Sequence, residues 1–120
     1  MKKEEIDLLS RTKSFALRII RLSSTLGSKS REAKVIGNQL LRSGTSIGAN
    51  YREAYRSRSK AEFTSTIGIC LKEAEETAYW LELLVESGLV EKEKLKQIIQ
   101  ETDELIAIFV TIRKSSKKNS

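Results

Sequence analysis

These 120 residues contain no proline and no histidine, and only one cysteine, Cys70. Without proline, nothing in the chain forces a helix to kink or stop. Without histidine, the commonest general base and metal ligand is missing. A single cysteine excludes an internal disulfide framework, and with no histidine to activate it Cys70 is a poor nucleophile. It reads as a small buried hydrophobe near the seam of a helix. Aromatic residues make up 6% of the chain, with one tryptophan. No apolar run reaches the length of a membrane span. The opening Met1-Lys2-Lys3-Glu4-Glu5 leads into interrupted sequence rather than a signal-peptide core. The expected setting is therefore the cytosol, with no membrane partner.

Catalytic patterns are missing too. There is no P-loop or Rossmann glycine spacing, and no Glu-x-x-His pair of the kind that builds metal sites inside bundles. Glu62, Glu73 and Glu76 could in principle share a metal, but pairing with arginine is the expectation. We expect no enzyme, no cofactor and no metal.

What the chain has is charge, unevenly spread. Residues 1–60 carry 14 Lys and Arg against 5 Asp and Glu; residues 61–120 carry 8 against 11. A basic half favours polyanion partners such as nucleic acid. Basic helices packing beside acidic ones within the molecule would explain the same asymmetry.

Breaks fall at Gly27–Ser30, Ser57–Lys60 and Ser87-Gly88, leaving helical segments of about 3–26, 31–56, 60–87 and 91–114. Ser30 and Ser59 are placed to cap the second and third segments, and Gly88 to end the third. Short links between helices predict an all-α, antiparallel up-and-down four-helix bundle. One domain spans residues 1–114, and 115–120 form a basic, flexible tail.

The apolar spacing agrees. Ile36, Leu40, Ser43, Ile47, Asn50 and Ala54 align on the second helix. Phe63, Ile67, Leu71, Ala74, Ala78, Leu81 and Val85 align on the third, and Leu95 to Ile112 on the fourth. The first helix has a wider apolar arc, Ile6 to Leu26 including Ile20, which implies burial on more than one side.

The stretch Gln39–Ala54 is the least generic. Interior glycines cost a helix roughly 1 kcal/mol each relative to alanine, so Gly44 and Gly48 imply close contact with another helix. With Tyr51 they form a flank that could be an intrachain notch or a subunit contact. Together with Trp80, a candidate interface anchor, they point to a homo-oligomer interface. The opposite flank, Gln39, Arg42, Ser46, Asn50 and Glu53, is a polar strip with neighbours at i,i+3 and i,i+4. Asn50 is expected to fix register, and Arg42 to pair with Glu73 or Glu76 of the third helix. Arg52, Arg56, Arg58 and Lys60 then cluster where the second helix ends, with Lys114, Lys117 and Lys118 at the chain's end. In an up-and-down bundle these two groups share a pole. They are the candidate contacts to RNA or DNA phosphates; favourable placement near helix C-termini is the structural alternative.

Gln39-Leu40, Arg42-Ser43, Ser46-Ile47, Asn50 and Glu53-Ala54, followed by Leu71-Lys72-Glu73-Ala74-Glu75-Glu76-Thr77, resemble the bacterial four helix bundle protein family. That family includes proteins encoded in intervening sequences of 23S ribosomal RNA genes. The resemblance runs from about Leu8 to Ile112. Gly48 and Tyr55 stand where the family commonly has proline and glycine. The resemblance implies a four-helix bundle assembled as a homopentamer. It also implies a likeness in fold to accessory proteins of diversity-generating retroelements, basic pentamers that bind nucleic acid and a reverse transcriptase. The expected function is a non-enzymatic oligomer binding structured RNA or DNA through a basic rim with little sequence preference. The alternative is an assembly scaffold for an acidic protein partner.

Overall fold

The computed structural model describes residues 3–118, with side chains from Asp7. Four helices account for nearly all of it: α1 (Lys3–Leu26), α2 (Arg31–Tyr55), α3 (Lys60–Glu86) and α4 (Lys92–Lys118). Local chemistry sets their ends. The Ser30 hydroxyl accepts from the Ala33 amide and the Ser59 hydroxyl from the Glu62 amide, each at 3.1 Å, which satisfies an otherwise orphaned donor in each first turn. Gly88 adopts φ +79°, a left-handed conformation that costs glycine little, and there the chain turns out of α3.

The flexible tail expected from residue 115 is instead helical as far as Lys118. Ser116 meets the Thr64 hydroxyl of α3. Lys117 and Lys118 occupy the last turn, where positive charge complements the helix dipole. Residues 119 and 120, and the Ile6 side chain of the expected apolar arc, lie outside the described residues.

The core is built from large side chains that are essentially fully buried, among them Phe15, Ile19, Leu40, Ile67, Leu81 and Phe109. Burying each contributes about 1.5–3 kcal/mol. Along α3 the buried line is Ile67, Cys70, Ala74, Thr77, Leu81 and Leu84. It is turned from the expected line: Leu71, Ala78 and Val85 are only half-buried, and Cys70, Thr77 and Leu84 take the interior. The rotation brings Thr77 against α2, where its hydroxyl lies 2.9 Å from that of Ser43, both buried.

Helix α1 lies in a glycine-lined bed on α2. A Cβ at Gly37 would sit 3.2 Å from Leu26 Cβ, at Gly44 2.7 Å from Ile19 Cγ1, and at Gly48 3.2 Å from Thr12 Oγ1. Contacts that rise along α2 fall along α1, so these two helices run in opposite directions. Ser23 adds a hydrogen bond to the Gly37 carbonyl at 2.9 Å. The expected subunit-contact role of Gly44, Gly48 and Tyr51 is therefore corrected. The two glycines are occupied by α1. Tyr51 is 1% exposed, with its ring centroid 6.1 Å from that of Phe109. Forcing a side chain into Gly44 would displace the branched Ile19 at an overpacking cost of about 1–3 kcal/mol.

On its other side α1 is held differently. It approaches α4 far less closely than it does α2. Arg11 bridges the gap: Nε and one terminal nitrogen reach the two Glu101 oxygens at 2.7 and 2.8 Å, and that nitrogen also reaches Glu104 at 2.7 Å. These bonds hold the Glu104 carboxyl below its ordinary pKa, with Arg11 the main cause and Gln100 the second.

Candidate nucleic-acid interface

Four helix ends meet at one pole of the bundle, since α1 begins there with Leu9 beside Arg52, Tyr55 and Arg56. The link of residues 56–59 carries the chain from α2 into α3. The first turns of α3 lie beside the last turns of α4: Thr64 meets Ser116, and a Cβ on Gly68 would touch the Arg113 guanidinium at 3.4 Å. The seven basic residues expected to act together, Arg52, Arg56, Arg58, Lys60, Lys114, Lys117 and Lys118, are all exposed. Lys60 and Lys117 each already take part in an interaction within the chain. Arg113, which sequence reasoning missed, adds an eighth positive charge at this end. Its Nε is buried without a hydrogen bond, while its half-exposed side chain lies over Gly68.

Arg52, in the last turn of α2, and Arg56, which caps it, line a hollow of about 140 Å³ with Leu9 and Tyr55. Two guanidiniums beside an aromatic ring suit phosphate and base contact alike.

The polar strip lies on the flank of α2 next to α3 and is largely turned on itself. Arg42 pairs with both expected acids, lying 3.6 Å from Glu73 and in direct contact with Glu76, and it also reaches Gln39 at 3.4 Å. Ser46 donates to the Arg42 carbonyl at 2.6 Å, and Asn50 donates to the Ser46 carbonyl at 2.8 Å. Asn50 thus bonds back to its own helix. The buried polar contact between α2 and α3 is Ser43 with Thr77, which corrects the register role expected of Asn50. Glu53 is exposed and accepts at its carbonyl from Ser57.

Trp80 is half-buried, edge-on to Tyr79, and its indole N–H donates to Glu76 at 3.2 Å. Cys70 is fully buried, and burial pushes its thiol pKa up to about 12, far from a reactive thiolate. Among the described residues, no group of three or more acidic or thiol ligands is placed to hold a metal ion, and no helix is long and apolar enough to cross a membrane.

The fold and this surface define an all-helical four-helix bundle whose most concentrated feature is a cationic pole. The chain belongs to the 23S rRNA-intervening sequence protein family, whose model matches residues 4–111. A crystal structure of a protein with unknown function from the S23 ribosomal protein family of Bacteroides thetaiotaomicron is similar. It is 38% identical, the match covers 92% of this chain and 97% of that one, and the TM-score is 0.85. No curated protein matches the chain.

Proposed function

We propose that this protein is a non-enzymatic, cytoplasmic, antiparallel up-and-down bundle that self-associates, as a homopentamer by family resemblance. In this reading it binds structured RNA or DNA through the pole bearing Arg52, Arg56 and Arg58. The observation that carries the proposal is an excess of basic charge. Eight basic side chains gather where α2 ends, α3 begins and α4 ends, set against Glu53, Glu62 and the acids of the first turns of α1, Glu4, Glu5 and Asp7. Phosphate contacts of this kind give affinity with little sequence readout, and a ring of subunits would repeat the basic patch around one rim. The opposed directions of α1 and α2 support the up-and-down topology.

A filter-binding titration with structured RNA and with duplex DNA tests this. Retention should be strong near 50 mM salt and fall by orders of magnitude by about 200 mM. Absence of retention at low salt rejects the reading. The same charges suit an acidic protein partner, a reverse transcriptase among the classes that the family resemblance suggests. Recovery of one stoichiometric protein after nuclease treatment would favour that second reading.

A further inference from the structure

Resting on the self-association reading above, we infer that the subunit contact is heterologous: the outer face of α3 on one copy receives the outer α1–α2 face of the next. Charge and apolar exposure both lead there. Helix α3 holds six glutamates and two lysines, whereas α1 has five basic residues to three acidic, α2 four to two and α4 seven to four. The single acidic helix also exposes two of the largest apolar surfaces, Ile69 at 44% and Tyr79 at 52%, beside half-buried Trp80. Exposed aromatic surface flanked by charge is characteristic of interface cores.

The complementary surface is basic and aliphatic. Leu17 and Ile20 are 44% and 45% exposed on α1, with Lys13 and Arg21 alongside. On α2, exposed Leu41 stands one turn before Gly44, whose partner across the seam is Ile19. The three aliphatic residues therefore lie at neighbouring levels of the α1–α2 face. This is what the wide apolar arc of α1 leaves over once the monomer has packed.

Around Tyr79 the exposed charged side chains of α3 are Glu75, Glu82 and Glu86 with Lys72, so the outer face itself is acidic. Neither face suits its own duplicate, because basic would meet basic and acidic would meet acidic. A contact between two different patches is heterologous, and it closes a ring or continues as a filament. The flank of a 47 × 21 × 20 Å bundle is large enough, since a stable contact needs about 800 Å² per partner.

The test uses two double variants at exposed positions, Leu17→Glu/Ile20→Glu and Ile69→Gln/Tyr79→Gln, sized by light scattering. Circular dichroism should show both folded as the wild type. Each alone should be a monomer while the wild type is an oligomer. An equimolar mixture should yield one-to-one dimers of twice 13.6 kDa, because one intact complementary pair survives. Trp80 emission should also red-shift in the α1 variant, which alters nothing on α3. Variants that keep the wild-type size, or monomers that do not recombine on mixing, overturn the pairing while leaving self-association standing. A monomeric wild type removes the self-association reading itself.

Discussion

The two poles of this bundle carry similar numbers of cations and differ in how nearly acids balance them. At one pole Arg52, Arg56, Arg58, Lys60, Arg113, Lys114, Lys117 and Lys118 outnumber Glu53, Glu62 and the acids at the start of α1, Glu4, Glu5 and Asp7. At the other, Lys29, Arg31, Lys34, Lys92, Lys94 and Lys96 are interleaved with Glu32, Glu82, Glu86, Glu91 and Glu93. Interleaved charges neutralise one another within a Debye length of about 8–10 Å, so the second pole projects little field. The first projects a field that a polyanion meets at a distance. Overall net charge does not reveal this; the difference comes from which helix ends the topology brings together.

The contrast breaks most completely if the excess charge is reversed. The triple variant Arg52→Glu, Arg56→Glu, Arg58→Glu should lose about a hundredfold in nucleic-acid affinity near 100 mM salt. Filter binding measures it, and because all three side chains are exposed the melting curve should barely move. Equal loss from reversing Lys29, Lys94 and Lys96 would show that the poles are equivalent and the proposed interface wrong. A single Arg56→Gln should cost about two- to fivefold, with the salt slope shallower by about one. If its affinity and slope match the wild type, Arg56 contacts no phosphate.

Much of what positions these poles was legible in the sequence, because it is written locally. Ser30, Ser59 and Gly88 mark helix ends through hydrogen bonds and dihedrals confined to a few residues. The Arg42 pairing was legible because an arginine beside a buried seam needs acids and α3 offers them. Features that depend on which helix lies opposite were not. Glycine spacing on α2 announces a close approach but cannot say whose helix arrives, and the occupant is α1. The buried line of α3 was misread by one position, since Leu71, Ala78 and Val85 look as apolar as Cys70, Thr77 and Leu84, and a threonine weighs against an interior assignment until Ser43 is seen facing it. Arg11 and Glu101 are 90 positions apart, and nothing near either one signals the other.

The smallest expected effect is the most discriminating, because it raises the weak pole instead of lowering the strong one. Glu82 and Glu86 face each other on the last turn of α3, and a hydrogen bond with Glu86, followed by its charge, holds the Glu82 carboxyl above its ordinary pKa. A raised carboxylate pKa means a destabilisation by the ionised pair that is absent below the unfolded value and grows as pH rises through the folded one. Glu82→Gln should therefore raise the melting temperature slightly at neutral pH and leave it unchanged in acid. Glu82→Gln with Glu86→Gln removes two of the five acids that balance this pole. If net local charge alone separates the poles, the double variant gains about twofold in nucleic-acid retention at low salt. If retention stays at the wild-type level, charge balance is not sufficient, and the arginine-lined hollow beside Tyr55 contributes shape as well as field.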